Sequence, residues 1–279
     1  MDFLEPADLL DIHGSDAIAF AQAQFCADTS VLAEGAWQWN AWLDAKGRVR
    51  HFFALLRPAP AQLLAWLPLG GADSMRAALA PYVFRAKVAL ETRGGWALHA
   101  GDETKPPAAG QVRTDGAGHA LRMPGPVSRT AVLAPRDDAD AAASALAGWR
   151  RADIDAGLPW LAPSLAGEFL PQSLDLERLG AISFDKGCYP GQETAARVHF
   201  RGGNKRHLHR LEIEGGGVPA RGESLLDVAT STPVGRFLYA ASGATGGSVA
   251  LAVIAGDGEG HALRLDDGRP VTQCVRVRP

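Results

Sequence analysis

Lys186-Gly187-Cys188-Tyr189-Pro190-Gly191-Gln192-Glu193 sets an ammonium, a thiol, a phenol, an amide and a carboxylate between two glycines and a proline. Gly187 and Gly191 permit a positive φ or a close backbone approach, and Pro190 biases Tyr189 towards an extended conformation. A plain connection needs no such density of reactive side chains, so this stretch is the first candidate site. Cys188 is its candidate reactive thiol, because the neighbouring cations Lys186 and Arg197 would raise the thiolate fraction. The alternative for any free cysteine is a small buried hydrophobe. That reading is favoured for Cys26 and Cys274, which stand among apolar neighbours. No Asn or Asp pattern marks an orienting partner for a particular histidine, which disfavours a Cys–His nucleophile.

Around this stretch lie groups suited to a flat polar ligand. Gln192, Glu193 and the more distant Asp155 could read a heterocycle, since a carboxylate accepts two hydrogen bonds side by side from an exocyclic amine and a ring N–H. A solvated acid or a helix cap is the competing reading for each. Trp37, Trp39 and Trp42, with Phe52 and Phe53, could wall a cavity, although aromatic residues in paired strands are more often core. Downstream, Arg197, Arg201, Lys205, Arg206 and Arg210, with His199, His207 and His209, make a local basic strip. It could hold an anionic tail, part of an RNA or a protein partner, or be an exposed charged hairpin with Gly202-Gly203 as its break.

The whole chain narrows the classes. Its 279 residues allow two or three units with real cores, and 47% apolar with 21% charged residues excludes disorder. A formal net charge of −3 argues against nucleic-acid binding over the whole surface, so such a partner is not directly supported. No basic segment followed by an apolar run opens the chain and no run is long enough to span a membrane, so a cytoplasmic protein without a membrane partner is expected. Three widely spaced cysteines suit free thiols in a reducing compartment. With no CxxC pair, no metal site is expected.

The pattern of apolar runs predicts a helix from Asp16 capped by Ser15, a hairpin of strands 37–43 and 49–56 around Asp44-Ala45-Lys46-Gly47, a strand at 63–67, and a helix over 75–82. Strands follow at 88–91 and 96–100, then a turn-rich loop at 104–110. A helix over 137–155 is anchored by Trp149 and Ile154. The segment 157–170 reads as irregular, which inside a compact protein points to function or to a missed element. From Leu208 to Val277, short apolar runs separated by glycine-rich turns indicate a small barrel or sandwich. The fold class is α+β, followed by β.

On the Lys186–Glu193 stretch the chain resembles the YgfZ family of folate-binding proteins, relatives of the glycine-cleavage T-protein. The likeness extends to Phe25-Cys26-Ala27-Asp28, Leu43-Asp44-Ala45-Lys46-Gly47-Arg48, Gly157-Leu158-Pro159, Pro171-Gln172-Ser173-Leu174-Asp175-Leu176, Arg197 and Arg201-Gly202. The resemblance implies a T-protein-like fold of several subdomains around a central folate cavity. Residues 1–204 would form the folate-binding region, with two interleaved subdomains, and 205–279 a C-terminal β-barrel. It implies tetrahydrofolate or a derivative as cofactor. It further implies a role in assembling or repairing iron–sulfur enzymes, tRNA-modifying ones included, with those clients or assembly factors as partners. By that carry-over Cys188 is the functional thiol, where it could accept or pass a sulfur or one-carbon fragment. Lys186, Tyr189, Gln192, Glu193 and Arg197 shape its surroundings. Asp155, in Asp155-Ala156-Gly157, takes the place of the T-protein glutamate that holds the pterin, one methylene shorter. An accessory factor fits this picture better than conventional turnover. The alternatives are an aminomethyltransferase, although T-proteins lack the Lys-Gly-Cys-Tyr signature, and a cysteine-based redox protein, which has no resolving cysteine nearby in sequence.

Overall fold

The structure, a computed structural model, describes residues 2–116, 118–136, 143–244, 246–256 and 262–278. Its first two strands, β1 (Asp2–Pro6) and β2 (Leu9–His13), are two residues apart yet enter different sheets. β1 pairs antiparallel with β7 (Trp96–Ala100), which continues through β10 (Arg129–Pro135) and β9 (Gly118–Met123) to β8 (Val112–Asp115). β2 lies between β5 (Gln62–Trp66) and β6 (Ala89–Thr92) in a second five-stranded sheet, whose far side is β4 (Val49–Ala59) and β3 (Ala36–Leu43). The chain thus crosses between the sheets at its start and again after β6, tying them together.

The second sheet is buried on both faces, and the two-residue period of its strands divides the core. Leu10, Ile12, Trp42, Phe53 and Leu55 face α1 (Ala17–Gln24) and α2 (Ala72–Val83), packing against Phe20, Phe25, Met75 and Leu79. Leu9, Trp39, Phe52, Leu56 and Trp66 point the other way, towards the first sheet and α3 (Ala143–Asp155). α1 begins at Ala17, one residue later than expected, and Ser15 does not cap it. Instead the Ser15 hydroxyl donates to Oδ1 of its neighbour Asp16, while Asp16 Oδ2 accepts the Lys87 N–H in a tertiary link. Of the helix expected over 137–155, residues 137–142 lie outside the described residues, and Trp149 and Ile154 are buried anchors in the remainder.

The irregular segment 157–170 is an ordered strap. Trp160 fills the core between Trp39, Phe52 and Trp66, at ring-centroid distances of 5.3, 5.2 and 5.8 Å. Backbone bonds from Val49 to the Phe169 carbonyl and from Gly167 to the Val49 carbonyl tie its far end to β4. Apart from a 3-10 turn at Pro163–Leu165, the strap has no regular structure, because its apolar residues belong to the core of other elements.

The expected charged hairpin at 197–210 is not one. Residues 192–201 form α4 (Gln192–Arg201), with acidic Glu193 in its first turn and His199 and Arg201 in its last, the charge order that a helix dipole favours. Gly202, at φ 72°, ends it. β11 (Arg206–Ile213) then opens an antiparallel six-stranded sheet with β12 (Ser224–Asp227), β13 (Pro233–Ser242), β14 (Ser248–Ala255), β15 (Leu263–Leu265) and β16 (Val271–Arg276), in the order β15-β12-β13-β14-β11-β16. A bridge from Arg264 to Pro270 brings the start of β16 back to β15, so the sheet rolls around Leu211, Ile213, Leu225, Phe237, Ala252 and Ile254. Among the described residues, no helix is long and apolar enough to cross a membrane.

Candidate functional site

Three separate stretches meet at the Cys188 loop. The β3–β4 turn is a tight one: Asp44 Oδ1 accepts the N–H groups of Lys46 and Arg48 at 2.8 and 2.9 Å, and Gly47 N–H donates to the Asp44 carbonyl. Gly191 (φ 78°) rests directly on that turn. A Cβ on Gly191 would lie 2.3 Å from Asp44 O and 2.8 Å from Gly47 Cα. A Cβ on Gly47 (φ 77°) would lie 2.7 Å from Thr194 Cβ. Each glycine is needed for the other's approach. Gly187, by contrast, has nothing within 4 Å of a Cβ position, so the backbone freedom expected of both loop glycines is used only at Gly191.

On the loop's other side, the Lys186 Nζ donates to the carbonyls of Phe25 and Ala27 at 2.6 and 3.0 Å, and Ser183 N–H donates to the Cys26 carbonyl. Asn40 Oδ1 accepts Ala27 N–H at 2.9 Å from beneath. The Tyr189 ring is buried below the Lys186 head, 5.2 Å from it, and its hydroxyl donates to the Ser183 carbonyl. Burial pushes the Tyr189 phenol and the Cys26 thiol above their ordinary values. Burial also pulls Lys186 down to about 8, against the opposing pull of Cys26 and Asp28. The ammonium therefore faces the buried Cys26 segment, and the Lys186–Cys188 pairing expected from sequence is replaced by this carbonyl clasp. Cys188 itself stands exposed at the loop's crest.

Lys186 gives a direct test. An NMR pH titration of its side chain should show a midpoint near 8, well below the ordinary lysine value of 10.5. Between those two values the unfolded chain holds a proton that the folded one has released, so stability from this residue rises with pH across that window. Lys186→Met should remove that rise. Both carbonyl contacts survive deprotonation, since the neutral amine still has two N–H donors. A midpoint above 10 would mean that the clasp is open in solution.

The other expected ligand-binding residues do not converge on one point. Gln192 and Glu193 open α4 beside the loop, and Arg197 is exposed one turn on. Asp155 lies elsewhere: its Oδ1 accepts Arg210 Nε at 2.8 Å beside the C-terminal sheet, in a concavity shared with Arg151. Two residues earlier, Asp153 is fully buried, accepting bonds from Arg129, Arg150 and the Trp160 indole.

A cavity of about 570 Å³ opens at the free edge of β3. Its wall is Trp37, Gln38 and Trp39, faced by Met123, Pro124, Pro126 and Leu179, with Arg122 and Ser128 at its rim. Trp37 and Trp39 pack edge to face at 4.7 Å, and with Trp42, Phe52 and Phe53 they are buried, as core residues are. Trp37 Nε1 and Gln38 Nε2 are buried donors with no acceptor among the described residues. The volume lies within the range of small-molecule sites. Gln38 and Arg122 were not singled out from sequence.

With this geometry in view the relatives are informative. The chain is 32% identical over 244 residues to the tRNA-modifying protein YgfZ of Cronobacter sakazakii, covering 80% of this chain and 74% of that one. It belongs to the YgfZ family. The protein of the same name from Klebsiella pneumoniae is 32% identical over 239 residues, covering 78% of this chain and 72% of its own. No family model matches. Among solved structures, the glycine cleavage system aminomethyltransferase T of Bartonella henselae superposes with a TM-score of 0.70 at 15% identity, over all of this chain and 85% of that one. The fold is therefore T-protein-like, as the family resemblance implied. The interlocked residues 25–28, 43–48 and 186–193 are among those on which the resemblance rested, and here those three stretches form a single structural unit.

Proposed function

We propose that this protein is a cytoplasmic folate-binding accessory factor that supports the assembly or repair of iron–sulfur enzymes, tRNA-modifying ones included. The relatives' name and the T-protein-like fold support the reading. The observation that carries it is the β3-edge cavity. It offers indole surface for a flat ring, the Ser128 hydroxyl at its rim, and Arg122 for a carboxylate tail. The residues present suit a folate by ring stacking and by charge at its tail, with no carboxylate among the described cavity residues for the pterin edge. Asp155 has Arg210 as its partner instead. A reduced folate would supply one-carbon chemistry when bound. The chain would present the Cys188 thiol to a client from a loop held rigid by Gly191 and Lys186. The lack of any carboxylate among the described cavity residues disfavours an aminomethyltransferase, which needs one near the folate nitrogens.

Calorimetric titration with tetrahydrofolate tests the reading. Micromolar binding is expected, weakened roughly tenfold by Arg122→Ala, the scale of one lost charged hydrogen bond. Asp155→Ala and Cys188→Ala should bind as the parent does. In cells lacking the protein, Cys188→Ala should fail to restore client iron–sulfur activity. Loss of binding with Asp155→Ala alone would move the pterin to the concavity beside the C-terminal sheet. No binding at all would end the folate reading.

A further inference from the structure

The outer face of α4 has a composition unlike the rest of this acidic protein. Arg197, Arg201, Lys205 and Arg206 are all exposed and have no ion-pair partner among the described residues. At helical spacing Arg197, Phe200 and Arg201 share one face, with the half-buried Thr194 beside it and the buried Ala195 on the opposite side. Arg197 and Arg201 stand about 6 Å apart along the axis, comparable to the step between phosphates of an extended strand. The cations then continue through the Gly202-Gly203 break to Lys205 and Arg206. Glu193, one turn before Arg197, bounds the strip.

Phe200 is the second, independent observation. It is 73% exposed, yet its ring is held in place. It packs edge to face on His199 at 4.7 Å and on Phe184 at 6.0 Å. His199 is itself stacked on Phe184 at 4.2 Å and bonded through Nδ1 to Glu177 at 2.8 Å. A phenyl ring fixed by its neighbours but open to solvent loses little entropy on receiving a flat partner. Unpaired cations in series beside such a ring are what binds single-stranded nucleic acid: cations for the backbone, an aromatic face for a base. An acidic peptide would use the cations and leave the ring without a role.

We propose that the α4 face and the Lys205–Arg206 segment form a docking surface for single-stranded RNA, with the Cys188 loop emerging at the helix's N-terminal end. The surface is separate from the β3-edge cavity and does not depend on folate binding. Four phosphate contacts on a single strand predict a slope of log affinity against log salt of about −2.8, a loss of about fifty-fold between 50 and 200 mM.

Fluorescence anisotropy with a short labelled RNA free of self-pairing, and folate absent, tests this. Arg197→Ala/Arg201→Ala should weaken binding more than tenfold and flatten the salt slope by about 1.4. Phe200→Ala should weaken binding about tenfold with the slope unchanged, as for one lost stacking contact. Circular dichroism melting shows whether each variant remains folded, and these exposed side chains should leave the melt unchanged. Binding that ignores Phe200→Ala and is displaced equally well by polyglutamate would overturn the proposal in favour of an acidic protein partner. No binding by the parent protein at low salt would overturn it outright.

Discussion

Gly191→Ala should unfasten the Cys188 loop and lower stability by about 3–5 kcal/mol. An alanine held at φ 78° costs about 1–2 kcal/mol on its own. The larger part is steric. The new Cβ would lie 2.3 Å from Asp44 O and 3.0 Å from Gly47 N, and both are backbone atoms of a hydrogen-bonded turn that cannot rotate aside. Relief requires the loop to lift from the turn, and lifting it withdraws Lys186 from the Phe25 and Ala27 carbonyls. At roughly 2–4 °C per kcal/mol for a chain of this size, the midpoint should fall by about 6–20 °C. Gly47→Ala should behave alike, and the double variant should cost less than the sum, since the second substitution meets an interface already open. Gly187→Ala is the control, because nothing lies within 4 Å of its Cβ. Alkylation provides the local readout: the buried Cys26 thiol should become reactive in Gly191→Ala and stay protected in Gly187→Ala. Equal stability and equal protection in the two variants would show that the turn and the loop do not interlock.

That interlock was only half legible in the sequence. Both motifs could be quoted, and the β3–β4 hairpin, α2, the buried tryptophans and the rolled C-terminal sheet follow from local patterns of turn residues and alternation. Which glycine needed its freedom did not follow, because Gly187 and Gly191 differ only in what the distant Asp44–Gly47 turn places above them. β1 and β2 were not predicted for a related reason: two five-residue strands joined only by Ala7-Asp8 carry too short a pattern to tell apart, and only their partners β7 and β5 separate them. α4 was not recognised, and a hairpin was weighed in its place, because the Gly202-Gly203 break reads equally well as a hairpin turn. The helix is ten residues long and buries only Ala195 fully, so little in its composition sets it apart from a charged loop.

The sharpest divergence between sequence and structure concerns two aspartates on α3. Resemblance selects Asp155 because Ala156-Gly157 follows it, but two residues turn a helix by about 200°. Asp155 thereby faces the C-terminal sheet, 37% exposed, while Asp153 faces the core, 1% exposed. Asp153 Oδ1 takes Arg129 at 2.8 Å, and its Oδ2 takes Arg150 at 3.2 Å and the Trp160 indole at 3.1 Å. Those partners come from β10, from α3 itself and from the 157–170 strap. Arg150 also reaches Glu5 on β1 and the Pro68 carbonyl beyond β5. Directly above, the Tyr239 hydroxyl of β13 donates to the Leu158 carbonyl at 2.7 Å, so all three sheets meet around one carboxylate.

Asp153→Ala should therefore be the most destabilising single change in this region. Removing the acid leaves two buried guanidinium groups short of an anion, a loss of about 3–5 kcal/mol, and leaves the indole N–H without an acceptor for about 1–3 kcal/mol more. Glu5 can still answer Arg150, but among the described residues no second carboxylate bonds Arg129, whose remaining acceptors there are the carbonyls of Trp149 and Pro124. Asp153→Asn keeps an acceptor oxygen for the indole and should recover part of the loss without restoring the charge. Asp155→Ala breaks a partly exposed pair and should cost about 0–1 kcal/mol. Urea denaturation of the three variants gives the order directly. If Asp155→Ala proved the costlier of the two alanine changes, α3 would have to sit rotated by half a turn. Its aspartates would then exchange places, putting Asp155 in the core and Asp153 beside the C-terminal sheet.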